Sequence, residues 1–147
     1  MTEARCSDAR VIRIVDLFEQ LQPADIERLN QFYAPDARFK DPFNEVVGVA
    51  AIQQVFRHMY VALDEPRFIV RDVIVQGDQC FLSWDFTFRF KRLRQGPQTV
   101  RGGSQLEIDA IGLITLHRDY WDAVEELYEK LPLVGSLMRW LKRRANA

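Results

Sequence analysis

The sequence is short of cysteine, of long apolar runs and of net charge. Its two cysteines, Cys6 and Cys80, lie far apart and lack CxxC or Cys/His spacing, so neither a disulfide framework nor a zinc site is indicated. No segment approaches the roughly 18 apolar residues that a membrane-spanning helix needs. The polar beginning, MTEARCSDAR, lacks the apolar centre of a signal peptide. Because the formal net charge is only −1, binding to nucleic acid is not indicated either. We therefore expect a cytoplasmic protein without a nucleic-acid partner.

What the chain does contain suffices for one packed domain. Hydrophobic residues make up 48% and charged residues 28% of its 147 positions, which is typical of a globular protein. A chain of this length can bury a core without disulfides or metals. We expect a single domain over residues 1–147, whose last part, residues 136–147, forms a basic C-terminal helix.

The first 65 residues show the apolar spacing of helices. Ser7 is expected to cap a first helix, and Pro23 to open a short second helix that extends through Tyr33. After a brief extended segment, a third helix begins at Gly48 and ends at Glu65-Pro66. Helices are thus predicted to precede the sheet.

From Arg67 onward the apolar period changes to two, which is typical of strands. Four strands are predicted, over residues 67–76, 79–90, 98–109 and 114–122. The pair Gly102-Gly103 indicates a bulge or a bend in the third of them. Two short helices follow, divided by Leu131-Pro132 and Gly135. Three helices followed by a four-stranded antiparallel meander predict an α+β fold.

Three segments carry a resemblance to a known superfamily. They are the passage FYAPDARFKDP at residues 32–42, Gly48 at the start of the third helix, and the passage GLITLHRDYWD at residues 112–122. In this order they resemble the nuclear transport factor 2-like superfamily, in its branches of SnoaL-like polyketide cyclases, limonene epoxide hydrolase and ketosteroid isomerase. The resemblance implies a cone-shaped, curved antiparallel sheet wrapped by N-terminal helices, that is, a cystatin-like α+β barrel.

The same resemblance implies site residues. Asp119 falls where the cyclases and the epoxide hydrolases keep a catalytic carboxylate, and Asp41 falls where ketosteroid isomerase keeps its general base. Phe39 takes the place of a tyrosine of the hydrolase. Trp84 and Phe86 stand where the hydrolase needs an Arg-x-Asp pair, so that machinery is absent. The oxyanion hole of the isomerase is also not reproduced.

Strand alternation adds a physical argument for the last strand. It places His117, Asp119 and Trp121 on one face, with roughly 7 Å between alternate residues. Alternation does not say which face meets a pocket, and the resemblance selects this one. A carboxylate among aromatic side chains loses hydration, which favours its protonated form and suits it to proton transfer. Asp119 is therefore the candidate acid/base, with His117 as its neighbour and Asp41 facing it.

Aromatic residues of the second strand predict the wall of the pocket. Trp84 and Phe86 share a face with two further apolar residues, and together with Phe39 and Trp121 they are predicted to hold a substrate. Structural alternatives remain open for most of these residues. His117 can be a satisfied core histidine, Asp41 can merely turn the chain, and Trp84 and Phe86 can fill the pocket.

The sequence accordingly predicts binding of a small, largely apolar organic molecule. If the protein is an enzyme, it is a cofactor-independent isomerase, cyclase, dehydratase or hydrolase. The alternative is a non-catalytic ligand-binding or protein-interaction module of the same fold. No metal is expected, because His58 and His117 lie on separate elements without a carboxylate at ligand spacing.

Two further expectations concern surfaces. Ile114 and Leu116 are expected on the outer face of the last strand, which predicts a homodimer through that face of the sheet. The apolar side chains of the C-terminal helix, Leu137, Trp140 and Leu141, are expected to pack as a lid on the body. A basic amphipathic helix can also lie on an anionic membrane, but the lid is favoured and a membrane partner is not expected.

Overall fold

The computed structural model of the chain describes residues 5–92, 96–127 and 132–146. A 3₁₀ helix, Pro23–Gln31, lies between the first helix and the first strand. In chain order the other elements are α1 (Ala9–Glu19), β1 (Tyr33–Lys40), β2 (Glu45–Val47), α2 (Val49–Ala62), β3 (Leu63–Gln76), β4 (Gln79–Phe90), β5 (Gln98–Ile108), β6 (Ile114–Tyr120), α3 (Ala123–Glu126) and α4 (Pro132–Ala145).

Local chemistry sets the beginning of each N-terminal helix. α1 is capped by Asp8, whose carboxylate accepts a hydrogen bond from the Arg10 backbone N–H at 2.9 Å, so the expectation that Ser7 is the cap is wrong. The second helix is of the 3₁₀ type and ends before Tyr33, which opens β1 instead. Gly48 precedes α2 with a φ of 98°, a backbone conformation that favours glycine.

The end of α2 lies earlier than the sequence predicts. The helix stops at Ala62, and the chain enters β3 at once, so Pro66 lies within a strand and does not terminate the helix. β3 is an edge strand of the sheet, so one of its sides has no neighbouring strand. A proline in such a strand breaks no backbone hydrogen bond on that side.

The sheet has six strands in the order β2-β1-β6-β5-β4-β3, where the sequence predicts four. β1 and β2 form a short antiparallel pair, and β1 then runs parallel to β6. All other neighbours are antiparallel. The predicted α+β class with a curved sheet is confirmed, but the sheet is mixed and not wholly antiparallel.

A bulge in β6 reverses the orientation of its first residue. Ile108 pairs with Ile114 whereas Glu107 pairs with Leu116, so one extra residue is inserted at this point. Ile114 therefore points inward and is fully buried, and its expected place on the outer face is wrong. Leu116 is half-buried.

The C-terminal segment differs from its prediction in two respects. α4 continues through Gly135, so no break occurs there, and Pro132 is the first residue of the helix. The three expected lid residues are not packed away, since Leu137 is 53%, Trp140 47% and Leu141 45% exposed. The expectation of a packed lid is therefore wrong for these side chains. In the part of the chain that the structure describes, no helix is long and apolar enough to cross a membrane.

Candidate functional site

A cavity of about 760 Å³ lies between the concave face of the sheet and the helices α1 and α2. The structure brings all seven sequence-predicted site residues to its lining, namely Phe39, Asp41, Trp84, Phe86, His117, Asp119 and Trp121. The lining is largely aromatic and aliphatic, and no lysine or arginine occurs among the described residues that form it. A cavity of this size and composition suits a small apolar molecule.

β4 forms the aromatic wall because its alternate side chains point inward. Trp84 and Phe86 line the cavity together with Phe68 of β3. The Phe68 and Phe86 rings stack with centroids 4.5 Å apart, and the Phe68 and Trp84 rings meet edge to face at 5.5 Å. The wall therefore consists of aromatic rings in mutual contact that border an open cavity, and the aromatic residues do not fill it.

Gly102 of β5 leaves room for the side chains of Trp84 and Trp121 close to its own backbone. A Cβ atom at this position would lie 2.7 Å from Trp84 Cη2 and 2.9 Å from Trp121 Cβ. The register between β4 and β5 runs through Gly102 and Gly103 without a shift, so the bulge considered for this pair is not formed against β4. The glycine is needed for space next to the indole rings.

A chain of hydrogen bonds runs through the polar part of the site. The Tyr33 hydroxyl lies 2.7 Å from His117 Nδ1, and His117 Nε2 lies 2.7 Å from Asp119 Oδ1. The Ser104 hydroxyl donates to the same Asp119 oxygen at 2.6 Å. Trp84 Nε1–H in turn donates to Ser104 Oγ at 2.8 Å. Five residues from four strands thus form one network that converges on a single carboxylate oxygen.

Tyr33 and Asp119 lie at the two ring nitrogens of His117. Burial, reinforced by the negative charge of Asp119, raises the pKa of Tyr33 well above its usual value, so the phenol keeps its proton. With this hydroxyl as the donor to Nδ1, the ring proton lies on Nε2 and is donated to Asp119. Both ring nitrogens of His117 are thus engaged by the network.

Asp119 lines the cavity with one carboxylate oxygen held by the described residues and one that is not. Oδ1 accepts from Ser104 and His117, whereas no residue in the described ranges hydrogen-bonds Oδ2. The Asp119 side chain is 15% exposed to solvent, and it lines the cavity. One oxygen is thus fixed by the protein, and the other is available to a ligand.

Rings hold His117 in this orientation. Phe39 meets it edge to face with centroids 4.7 Å apart, and Phe18 lies at 5.6 Å. Only 4% of His117 is exposed. It is therefore both a satisfied, buried histidine and a member of the cavity lining.

Asp41 uses its oxygens in a turn. Its Oδ1 accepts from the backbone N–H groups of Phe43 at 2.8 Å and Asn44 at 2.6 Å, and the Asn44 side-chain amide donates to both oxygens at 3.1 Å. This is the pattern by which an aspartate stabilises a turn. Asp41 reaches the cavity, but its carboxylate is held by its own loop.

Sequence reasoning misses the two hydroxyls of the network. Helical spacing assigns Tyr33 to a helix stripe, although a buried tyrosine hydroxyl needs a hydrogen-bonding partner. Ser104 pairs directly with Asp119 in the β5–β6 register, but counting outward from the turn before β6 would pair it with Arg118, because the bulge in β6 shifts the register by one residue. In the described ranges, no group of three or more His, Cys, Asp or Glu side chains is placed to hold a metal ion.

Solved structures share this fold. An LEH-like epoxide hydrolase of M. tuberculosis is 19% identical, with 93% of this chain and 99% of that chain covered and a TM-score of 0.69. A protein of Catenulispora acidiphila with a ketosteroid isomerase-like fold, in complex with trimethylamine, is 16% identical, with coverages of 81% and 89% and a TM-score of 0.69. TerC, co-crystallised with polyporic acid, is 21% identical, with coverages of 80% and 95% and a TM-score of 0.68.

No curated protein matches the sequence. The model of one protein family, the SnoaL-like domain, matches residues 14–127, which run from within α1 to the residue after α3. This stretch includes every strand of the sheet and every residue of the hydrogen-bonded network. The chain therefore belongs to the SnoaL-like domain family, and it shares the fold of a ketosteroid isomerase-like protein.

Proposed function

We propose that the protein binds a small, largely apolar organic molecule in the cavity and transfers a proton on it through Asp119, without a cofactor. The observation that carries the proposal is the free oxygen of Asp119 in an aromatic cavity of about 760 Å³. A carboxylate that is oriented by neighbouring donors and faces an apolar ligand is suited to general acid–base catalysis.

The neighbours of Asp119 have distinct roles in this proposal. Oδ2 removes a proton from the ligand, or from a water beside it, and returns it to a second atom. The His117 and Ser104 donors hold Oδ1 in place, so that the carboxylate does not rotate during the transfer. Tyr33 acts through His117 as a positioning residue, because its hydroxyl keeps the ring proton on Nε2.

The apolar part of the substrate is held by Trp84, Phe86, Phe39 and Trp121. Relatives of this fold bind small molecules, namely trimethylamine and polyporic acid, which agrees with an organic ligand of modest size. The reaction is of the isomerase, cyclase, dehydratase or hydrolase type. A hydrolase would work without the Arg-x-Asp pair, since Trp84 and Phe86 occupy those positions.

Asp41 assists in this proposal by shaping the rim of the cavity. Its carboxylate is bonded to Phe43 and Asn44, so its influence on the substrate passes through the turn that it fixes. Replacement of Asp41 by asparagine is therefore expected to weaken substrate binding more than turnover.

The test begins with native mass spectrometry of protein purified from its source, to identify a retained small molecule. Turnover of that molecule is then compared in the wild type, in Asp119→Asn and in Asp36→Asn, whose carboxylate is exposed on β1. The Asp119→Asn substitution keeps the shape of the side chain but removes the group that accepts the proton, so turnover should fall by about 100-fold or more while binding persists. Asp36→Asn should behave as the wild type.

The rival is a non-catalytic ligand-binding or interaction module. It would be favoured by a retained molecule that neither the wild type nor the variant converts. The open cavity supports ligand binding under either reading, and the oriented carboxylate favours catalysis.

We also propose that the chain forms a homodimer through the outer face of the sheet. Ile74, Phe81 and Tyr120 are 63%, 41% and 44% exposed on the face opposite to the cavity. Phe81 pairs with Ile74 across the strands, and its ring covers Gly103, which is itself the partner of Tyr120. This apolar stripe crosses four strands and is of the kind that oligomers cover.

A further inference from the structure

We propose that α4 docks the protein on an anionic lipid surface. The proposal concerns a part of the molecule outside the cavity and does not depend on the chemistry proposed for Asp119. It starts from three apolar side chains of α4, those of Leu137, Trp140 and Leu141, which face away from the body of the protein.

The side of α4 that meets the body can be identified from two residues. Gly135 is buried, and Lys142 Nζ lies 3.9 Å from Glu125 Oε2 in α3. Residues seven positions apart lie on the same side of a helix, because seven residues complete almost two turns. The side that carries Gly135 and Lys142 is therefore the inner one.

Three large apolar side chains lie on the other side. Leu137, Trp140 and Leu141 are spaced at i, i+3 and i+4, which places them on one stripe. They are 53%, 47% and 45% exposed. A surface helix normally buries its apolar stripe against its own domain, and here the stripe is turned outward. Such an exposed patch marks an interaction site.

The charge of the helix selects the partner. α4 contains Arg139, Lys142, Arg143 and Arg144 and no acidic residue, although the whole chain has a net charge of −1. The Arg144 guanidinium lies 5.3 Å from the centre of the Trp140 ring, so positive charge borders the apolar stripe directly. Pairing of this helix with its copy in a second chain would bring like charges together, whereas an anionic surface complements them.

The dimensions and residue types fit a helix that lies in the plane of a bilayer surface. Fourteen residues give a helix of about 21 Å, which is too short to span the hydrocarbon core. Leucine and tryptophan on one face with lysine and arginine beside them are characteristic of helices that bind at the lipid interface. The polar headgroups would meet the basic side chains, and the three apolar side chains would enter the boundary of the acyl chains.

The experiment measures co-flotation of the full chain with vesicles. Vesicles of equal parts phosphatidylglycerol and phosphatidylcholine are compared with vesicles of phosphatidylcholine alone. The wild type should bind the anionic vesicles, and binding should weaken as NaCl is raised. The variant Arg143→Gln/Arg144→Gln, which leaves the inner-side Lys142 in place, should bind about 25-fold more weakly, since each basic residue contributes about a fivefold factor near such a surface. The variant Leu137→Ser/Trp140→Ser/Leu141→Ser should lose at least about tenfold in binding, because its side chains no longer enter the acyl boundary.

A control variant separates docking from general loss of apolar surface. Val61→Ser/Ile111→Ser removes side chains that are 68% and 80% exposed elsewhere on the chain, and it should bind as the wild type. All variants should melt within a few degrees of the wild type, since none of the substituted side chains is buried.

Several outcomes would overturn the proposal. They are equal binding to both kinds of vesicle, no binding by the wild type, and undiminished binding by the variant that lacks the three apolar side chains. A large drop in melting temperature of that variant, with the control unchanged, would show that these side chains pack on the body. If the wild type is a dimer and the variant that lacks the three apolar side chains is a monomer, the partner of α4 is a second copy of the chain.

Discussion

Two buried tyrosine hydroxyls differ in their hydrogen bonding. Tyr33 donates to His117 Nδ1 at 2.7 Å, whereas the Tyr60 hydroxyl is the one buried side-chain polar atom in the described ranges without a partner. A satisfied buried hydrogen bond contributes to stability, and an unsatisfied group costs desolvation free energy. A tyrosine-to-phenylalanine substitution therefore removes a hydrogen-bonded hydroxyl at Tyr33 and an unpartnered hydroxyl at Tyr60.

Tyr33→Phe is expected to lower the free energy of unfolding by about 1–2 kcal/mol, because it leaves His117 Nδ1 buried without a donor. Tyr60→Phe should be neutral or stabilising. Urea-induced unfolding of both variants, followed by circular dichroism, provides the measurement. Equal destabilisation by the two substitutions would contradict the role given to the Tyr33 hydroxyl.

Cys80 predicts a dependence of stability on alkaline pH. Burial, together with the nearby charges of Cys6 and Asp8, raises the pKa of the Cys80 thiol from 9.0 to about 12. In the unfolded chain this thiol ionises near pH 9, whereas in the folded protein it keeps its proton up to about pH 12. Since the unfolded state alone loses the proton in this window, the contribution is complete below about pH 9 and is lost as the pH rises towards about 12.

We expect the free energy of unfolding to fall by about 1 kcal/mol between about pH 8 and pH 10 as a result. Cys80→Ala should flatten this slope although it lowers stability at every pH. Cys6→Ala should leave most of the slope, because burial is the largest cause of the raised pKa of Cys80. Denaturant titrations across the same pH range measure the effect. If the pH dependence of the free energy of unfolding persists in Cys80→Ala, another titrating group causes it.

At the scale of elements, β4, β5 and β6 hold the site together through close backbone approach. Gly102 lies beside the Trp84 and Trp121 side chains, and an added methyl group would meet the first at 2.7 Å and the second at 2.9 Å. Because the indole of Trp84 also donates to Ser104, a displaced ring would disturb the orientation of Asp119.

Gly102→Ala is therefore expected to destabilise the protein by about 1–3 kcal/mol through overpacking. Intrinsic tryptophan fluorescence should change as well, since two of the three tryptophans adjoin the new methyl group. Gly96→Ala is the matched control, because a Cβ atom there has no neighbour within 4 Å. Similar melting temperatures for both variants would contradict the packing argument.

The site is more predictable from the sequence than the elements around it. Strand alternation groups Trp84 with Phe86 and His117 with Asp119 on shared faces, because period two is strict within a regular strand. The resemblance selects the face of the last strand that lines the cavity. The same rule fails for Ile114, where a single inserted residue reverses the parity. A bulge leaves no mark in a sequence with ordinary residues on both sides.

Long-range pairing accounts for the other errors. Tyr33 continues the helical spacing of the preceding segment, and only its parallel partner β6, which lies far along the chain, makes it a strand residue. The orientation of α4 is also beyond the reach of sequence reasoning, because amphipathic spacing identifies an apolar stripe but not the surface that the stripe faces.

At the scale of the whole molecule, the apolar stripe on the outer face of the sheet determines the proposed assembly. Ile74→Asp is expected to convert a homodimer into a monomer at micromolar concentration, because it would place a charge in the covered interface. Ile111→Asp, at an 80% exposed turn position, should leave the assembly unchanged. Light scattering coupled to size-exclusion chromatography measures the mass, and a monomeric wild type would refute the proposal.

The parallel pairing of β1 with β6 has a consequence for the order in which the protein is made. Tyr33 and His117 are 84 positions apart, so their hydrogen bond cannot form until most of the chain has left the ribosome. Strands β3, β4 and β5 can assemble from neighbouring hairpins, whereas the β1–β2 pair can join the sheet only after the last strand is present. Contacts of such high sequence separation slow folding. Throughout translation, the edge that β6 will occupy stays open, and the oriented carboxylate exists only in the finished protein.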